Sequence, residues 1–241
     1  MRIARFGFET WIKWVFDHPV TEREWWWDAA DFEEGGRWLD RPAWRVIRFM
    51  TRLFEDPVPC VAPYSDEQID QGLWFIFHDA NSRHICSLSD GRVSYALRLR
   101  CLRSIVALHE RLLVPRCAEV LNQSREREPG ATPLNSICYM LWDFVYKGTL
   151  EDPGEWDLRK AIWRNRSSNP KFVAHMLEAL QRVLAIPHKA CQEAAVHGLG
   201  HVQGGHPGEA SVIIDEYLSS NPSIDPRLRE YALCARAGKI M

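Results

Sequence analysis

The sequence lacks long apolar runs and carries no strong excess of either charge. No stretch approaches the roughly 18 consecutive apolar residues that a membrane-spanning helix needs, and the N-terminal segment has no unbroken apolar stretch of signal-peptide length. The net charge is −2, from 30 basic and 32 acidic residues, so bulk electrostatics favour neither nucleic acid nor an anionic membrane as a partner. We therefore expect a cytoplasmic protein that has no membrane partner.

Motifs of the common enzyme classes are also absent from the sequence. It contains no GxSxG, no P-loop and no dinucleotide-binding GxGxxG, and the metalloprotease motif HExxH fails because Gly198 follows His197. The glycines of GLGHVQGG follow a helical pattern rather than a strand, so they do not predict a phosphate-binding loop. These absences favour a protein that is not an enzyme.

The seven cysteines are an odd number and include no CxxC pair. Most of them fall within apolar helical patterns, where a free cysteine packs as a small hydrophobic residue. We therefore expect reduced cysteines, as in the cytoplasm. A cysteine nucleophile stays open as an alternative, although no cysteine lies in a recognisable catalytic motif.

Apolar residues at helical spacing run along most of the chain, and no segment shows the alternation of a half-buried strand. Two segments, Thr21–Glu24 and Ser65–Gln68, have the form of a capping box, which begins a helix. Four prolines suit the first helical position, where the missing N–H costs nothing; they are Pro170, Pro187, Pro207 and Pro226. The pattern predicts helices over residues 8–16, 42–55, 66–79, 90–113, 133–146, 170–185, 187–203, 207–219 and from 226 onward.

The C-terminal part of the chain resembles a HEAT repeat. It consists of AAVHGLGHV, a short turn and ASVIIDEYL, followed by DPRLREYALCARAG, which looks like the first helix of a next repeat. A period near 40 residues built from two helices is typical of that family. The resemblance implies paired helices that approach each other closely through small residues.

From the helical pattern and this resemblance we predict a single all-α domain over residues 1–241. The predicted fold is a right-handed stack of antiparallel helix pairs, a HEAT-like α-solenoid of about ten helices. We divide it into tryptophan-rich N-terminal helices (1–60), central helices (61–185) and a HEAT-like repeat end (186–241).

Three segments, YSDEQIDQGLWFIF, CYMLWDF and CQEAAVHGLGH, also resemble a group of bacterial proteins. This resemblance implies one intact bacterial protein and no particular activity. Helical stacks present extended surfaces that need no catalytic residue to bind a partner. We therefore predict a non-catalytic protein that binds another protein, as an adaptor, a regulator or a toxin-neutralising partner.

Tryptophan and arginine dominate the N-terminal part. The consecutive Trp25, Trp26 and Trp27 fan too widely around a helix to form one buried stripe, so at least one ring is expected at the surface. Arginines after residue 40 share one face of the following helix. A solvated arginine face and a buried aromatic plug are the plainer alternatives. The predicted partner-binding residues are Trp25, Trp26, Trp27, Asp28, Arg41, Arg45, Arg48 and Arg52.

These arginines, with the basic residues of 159–166 around Trp163, leave a nucleic-acid-binding protein open as an alternative. Small HEAT-like DNA alkylation-repair glycosylases have about this length and use an aspartate beside tryptophans. Asp28 in WWWD and Asp143 in LWDF supply that residue type without an alignable motif. The near-neutral charge argues against this alternative.

The segment HGLGHVQGGH contains three histidines and raises the question of a metal site. His197 and His201 lie one helical turn apart and can bind zinc if further ligands join them, and His206 follows in the next turn. The alternative is a structural pair that donates hydrogen bonds to a neighbouring turn. We favour the structural pair and predict no cofactor; the second hypothesis is zinc at His197, His201 and His206, with a metal-dependent activity there.

Overall fold

The computed structural model describes residues 7–27, 41–79, 81–122, 128–149 and 169–240. These residues form helices joined by turns and loops, and they include no β-strand. The α-helices of five or more residues are Phe8–Phe16 (α1), Ala43–Glu55 (α2), Pro57–Val61 (α3), Asp66–Phe77 (α4), Tyr95–Leu108 (α5), Leu134–Thr149 (α6), Pro170–Leu184 (α7), Lys189–Gln203 (α8), Pro207–Ser220 (α9) and Pro226–Arg236 (α10). The prediction of an all-α fold with about ten helices is therefore confirmed.

Most helices begin at or near the residue that the sequence pattern predicts as a helix start. α4 follows the predicted capping box: the Gln68 N–H donates to Ser65 Oγ at 3.3 Å, and the Ser65 N–H donates to Gln68 Oε1 at 3.0 Å. Proline occupies the first turn of α7, α9 and α10. α8 differs by two residues, because it begins at Lys189 after the N-cap residue His188 and leaves Pro187 outside the helix.

The segment after α1 contradicts the other predicted capping box. Thr21 Oγ1 donates to the Arg23 carbonyl at 2.5 Å, and no helix begins there. The prediction of an α-helix around the three tryptophans is also wrong, because Trp25–Trp27 forms a short 3₁₀ turn. The rings of His18 and Trp25 stack with their centroids 3.8 Å apart, and this contact holds the turn against the end of α1.

The segment 90–113, predicted as one helix, contains an α-helix followed by a π-type turn. α5 begins only at Tyr95, because the Ser94 hydroxyl caps it. A π-type turn follows over His109–Leu113. Pro115 explains this turn, since proline has no N–H to donate and its ring clashes with the carbonyl four residues earlier in a regular α-helix. The turn leaves the side chain of His109 fully buried.

α6 and α8 form the centre of the molecule. α6 packs along α8 and against α4, and α8 also contacts α7, α9 and α10. In the N-terminal half α2 packs along α5, and α1 contacts α4. The buried hydrophobic side chains form one core that includes residues from Phe8 to Ala235. None of the helices in the described part of the chain has the length and hydropathy needed to cross a membrane.

The close approach of α6 and α8 depends on a glycine. A Cβ atom at Gly198 would lie 2.6 Å from Trp142 Cβ and 2.7 Å from Leu180 Cδ2, far inside van der Waals distance. Trp142 and Leu180 are themselves fully buried and have no room to move away. The packing of α6, α7 and α8 therefore requires the absence of a side chain at this position.

We expect Gly198→Ala to lower the free energy of unfolding by about 1 to 3 kcal/mol, because the added methyl group overpacks the junction. Urea denaturation followed by circular dichroism measures the change. Gly208→Ala is the matched control, since a Cβ at Gly208 would meet no atom within 4 Å. We expect that control to be neutral or slightly stabilising, and equal destabilisation by both variants would contradict the close approach.

Candidate functional site

A cleft of about 740 Å³ lies between α1, α2 and α5. We call it the arginine groove. Its cationic side chains are Arg45, Arg48, Arg52 and Arg100, and its aromatic side chains are Phe8, Trp44 and Phe49. Glu55 is the one acidic residue among the lining side chains that the structure describes. The groove therefore combines guanidinium groups with apolar surface and has few carboxylates.

The amphipathic pattern of α2 produces one wall of the groove. Val46, Ile47 and Met50 face inward and are buried. The arginines at positions 45, 48 and 52 follow at spacings of three and four residues and therefore share the other face of the helix. Three of the four predicted arginines thus line one cleft, as their spacing indicated.

Two of the groove arginines are already paired inside the protein. Arg52 lies 3.0 Å from Glu9, and its guanidinium carbon lies 3.9 Å from the centroid of the Phe8 ring. Arg100 donates two hydrogen bonds, at 2.7 and 2.8 Å, to the Glu55 carboxylate. Such bidentate pairing uses the fork of donors that arginine presents. These two arginines have little capacity left for a partner.

The other two groove arginines have no such carboxylate partner among the described residues. Within the described ranges, no acidic side chain lies within 4 Å of Arg45 or Arg48. The Arg45 guanidinium lies 5.6 Å from the Trp44 ring centroid. Trp44 itself is 45% exposed, an unusual fraction for a large aromatic residue. An exposed aromatic ring thus lies beside two guanidiniums that have no acidic partner in the described ranges, and such a surface can bind an acidic group.

The remaining predicted partner-binding residues lie elsewhere. Trp25 and Trp26 are buried against other aromatic rings, including that of Phe75, so they belong to the core. Trp27 is 56% exposed. Arg41 precedes α2 and does not line the groove. Asp28 and the basic segment 159–166 lie outside the described residues.

His197 and His201 belong to a chain of hydrogen-bonded side chains, which we call the histidine chain. Their Nε2 atoms lie 3.2 Å apart. His197 Nδ1 lies 2.6 Å from the Tyr231 hydroxyl, which in turn lies 2.7 Å from that of Tyr139. At the other end, His201 Nε2 lies 3.2 Å from Asp143 Oδ1. The chain thus joins α6, α8 and α10.

Asp143 lies at the end of the histidine chain. Lys147 donates to Asp143 Oδ2 at 2.8 Å, whereas His201 Nε2 lies 3.2 Å from Asp143 Oδ1 without hydrogen-bonding geometry. One of the two histidine Nε2 atoms donates to the other, because two lone pairs or two N–H groups would repel. The two tyrosine hydroxyls continue the chain from His197.

Burial keeps the histidine chain neutral. The pKa of His197 is lowered to about 3, first by burial and then by the nearby His201 and Lys147. Burial also lowers the pKa of His201, although Asp143 opposes this shift. Asp143 is itself buried and engaged by Lys147 and His201. The arrangement fixes three helices to one another through uncharged groups and one neutralised carboxylate.

The third predicted metal ligand, His206, lies at the N-terminus of α9. In the described part of the chain, the ring nitrogens of His197, His201 and His206 do not all lie within 4.8 Å of one another. The geometry therefore joins His197 and His201 without His206. Zinc at these three positions stays a prediction.

A second buried cluster was not predicted from the sequence. We call it the cysteine cluster: Cys117, Cys138, Cys191, His109 and His188. A ring nitrogen of His109 and the Sγ atoms of Cys138 and Cys191 all lie within 4.8 Å of one another. These residues come from three separate segments, 109–117, 138 and 188–191, and only the three-dimensional packing brings the segments together.

Comparisons with known proteins identify no relative. No protein-family model, no curated protein and no solved structure matches the chain. The likeness to HEAT repeats and to a bacterial group therefore stays a prediction from the residues.

The neutral state of His197 makes stability depend on pH. Its pKa is about 3 in the folded protein against 6.5 for an ordinary histidine, so the unfolded chain binds the extra proton between these values. Stability is fully present above pH 6.5 and is lost as the pH falls towards 3. We expect a loss of about 3 kcal/mol from this residue between pH 6.5 and 4.

Urea denaturation of the native chain and of His197→Asn over this pH range measures the effect. Asparagine retains a donor near Tyr231 and does not titrate, so the variant should lose less stability on acidification. Burial also lowers the pKa of His84, to about 4. The pH dependence due to His84 is common to both proteins and cancels in the comparison. Equal slopes would show that His197 is not held neutral.

Proposed function

We propose that the protein is a non-catalytic, cytoplasmic helical protein that binds another protein through the arginine groove. The observation that carries this proposal is the pair of guanidiniums of Arg45 and Arg48, which have no acidic partner among the described residues and lie beside the exposed ring of Trp44. Arginine and tryptophan are the side chains most enriched at the energetic centres of protein interfaces. The HEAT-like repeat predicted for the C-terminal third fits a scaffold of this kind.

The chemistry of the groove defines the kind of segment it accepts. Guanidinium groups pair best with carboxylates in bidentate geometry, and Trp44 with Phe49 offers apolar surface next to them. The partner segment should therefore carry one or two acidic residues next to an aromatic or aliphatic side chain. A bacterial adaptor, a regulator and a toxin-neutralising protein all fit this chemistry.

A protein partner is favoured over nucleic acid by the charge balance. The groove has two arginines without an acidic partner among the described residues, and these neutralise few phosphates, whereas binding to duplex DNA rests on many phosphate contacts. The chain as a whole carries a net charge of −2, which repels a polyanion at long range. In addition, Arg52 and Arg100 are engaged by carboxylates of the protein itself.

The partner can be captured at the groove itself. A photo-crosslinking amino acid in place of Trp44 should trap a specific protein in the native host after irradiation. The same amino acid in place of Val212, which is 54% exposed on α9, is the matched control and should not trap it. Capture from both positions, or from position 212 alone, would contradict binding at the groove.

Charge reversal tests the arginines once the partner is purified. We expect Arg48→Glu to raise the dissociation constant at least tenfold, because a charge-assisted pair contributes about 1.5 to 3 kcal/mol and the new carboxylate repels the acidic segment. Isothermal titration calorimetry measures it. Arg182→Glu, at an exposed position of α7 outside the groove, should bind as the native chain does. Salt-sensitive DNA binding that is lost in Arg48→Glu would replace this proposal by the nucleic-acid alternative.

A further inference from the structure

Two buried cysteines lie close together where α6 packs on α8. Cys138 belongs to α6 and Cys191 to α8, and both side chains are fully buried. Their Sγ atoms lie within 4.8 Å of each other and of a ring nitrogen of His109. Among the described residues, Cys117 and His188 do not join this group of mutually close ligand atoms. The geometry therefore singles out three members of the cysteine cluster.

The ring of His109 is held in one protonation state by a tryptophan. His109 begins the π-type turn after α5, and its ring stacks on that of Trp142 at an interplanar angle of 7°. The Trp142 indole N–H, which only donates, lies 3.1 Å from His109 Nε2, so this nitrogen accepts. Since Nε2 carries no proton, the ring is neutral and its proton is on Nδ1.

This Nδ1–H group is a donor that lacks an acceptor. The Nδ1 atom of His109 is buried and has no hydrogen-bond partner within the described ranges. Buried donors in this state are costly, and native structures rarely leave them so. The two sulfur atoms lie near the ring, but a protonated thiol is only a weak acceptor. A thiolate at either position would be a much better acceptor for this N–H group.

The proton of the Cys138 thiol is only weakly held in place. Cys138 Sγ donates it to the Ala190 carbonyl at 3.8 Å, a long contact from a weak donor. Little hydrogen-bond energy is therefore lost when another cation replaces this proton. The residue after Ala190 is Cys191, so the same contact keeps the two sulfur atoms at the junction of the helices.

We propose that Cys138 and Cys191 bind one cuprous ion, Cu(I), through their sulfur atoms, with the Nδ1–H group of His109 as a hydrogen-bond donor to the bound sulfurs. Thiolates are the soft ligands that select Cu(I). The ion replaces the two thiol protons, which leave to solvent. Two thiolates and one Cu(I) carry one excess negative charge, which the N–H group of His109 stabilises. His109 is thus a positioning residue.

The number of ligands favours Cu(I) over zinc. Structural zinc sites take four protein ligands. Here the proton on Nδ1 prevents His109 from acting as a ligand, so two sulfur atoms remain in the group. The site is also fully buried, so water does not complete a zinc coordination shell. Cu(I) is stable with two thiolates alone, and it needs no further ligand in a dry interior.

Such an ion would cross-link the two central helices. It joins α6 to α8 directly, and the donor group of His109 adds the π-type turn to the same site. The role of the ion is therefore structural, since no open position is left for a substrate. The site is distinct from the three histidines of HGLGHVQGGH and from the arginine groove.

Anaerobic titration of the reduced full-length protein with Cu(I) tests the site. We expect one equivalent to be retained against a competing chelator, to give the near-ultraviolet absorption of a copper thiolate and to raise the melting temperature. Because both sulfurs are buried, a second sample is unfolded in urea and refolded with Cu(I), which removes any barrier to entry. Zinc in the same titration should give no increase in melting temperature that depends on these cysteines.

Cysteine substitutions test the two ligands. Cys138→Ser and Cys191→Ser should each lose the retained equivalent of Cu(I) and the thiolate absorption. Cys101→Ser is the matched control, because Cys101 is a buried cysteine on α5 outside the cluster. Cys117→Ser is a second control inside the cluster. Both controls should retain one equivalent, and circular dichroism checks that each variant is folded.

Substitutions of His109 test its role as a donor. His109→Phe should keep the one-to-one stoichiometry, with the affinity for Cu(I) lowered about 10- to 100-fold and the thiolate absorption band shifted. His109→Gln retains an acceptor for the Trp142 indole and a donor for the sulfurs, so it should restore the band and much of the affinity. A purely structural role of His109 would change the melting temperature and leave the band in place.

Three results would overturn the proposal. The first is the absence of one retained equivalent of Cu(I) in both the native and the refolded sample. The second is retention of that equivalent by Cys138→Ser or Cys191→Ser. The third is its loss in a folded Cys117→Ser variant, because the ligand set would then be a different one. Failure of the copper site leaves the arginine groove unaffected, since the two share no residue.

Discussion

The close packing of α6 against α8 is the constraint on which the polar interior of this protein depends. Gly198 allows α8 to lie directly on Trp142 of α6. Beside this contact on the same two helices, His197 meets Tyr139 and His201 meets Asp143. Towards the other end of the contact, Cys138 meets Cys191. Wider spacing of these helices would leave the histidine chain and the cysteine cluster without their partners, and buried polar groups without partners are costly.

The helical architecture was accessible from the sequence because its determinants are local. The spacing of apolar residues, the Ser65–Gln68 capping box and the prolines before α7, α9 and α10 act within one or two turns. Thr21–Glu24 has the sequence of a capping box, but no helix begins there. Instead, Trp25 stacks on His18 and holds this segment in a different conformation. Here a contact between side chains outweighs a capping preference that contributes only about 1 kcal/mol.

The candidate sites also differ in how much of each could be predicted from the sequence. Arg45, Arg48 and Arg52 share one helix, so their spacing was sufficient to place them on one wall of the groove. The opposite wall, with Phe8 and Arg100, comes from other helices and carries no signal in the sequence. The cysteine cluster was not predictable for the same reason. Its members come from three segments that are remote from one another in sequence, and each cysteine separately has the pattern of a core residue.

The π-type turn at His109–Leu113 has a consequence for how this chain can vary in length. A turn of this kind holds more residues than an α-helical turn, and a single deletion there would shorten it to the length of an α-helical turn, while Pro115 would still have no N–H to donate. It would also rotate His109 by about 100° relative to the residues that follow. The imidazole would then leave the Trp142 indole and the cysteine sulfurs. The length of the segment His109–Leu113 is therefore more tightly constrained than its amino-acid sequence. Insertions or deletions in this turn should be tolerated less well than substitutions.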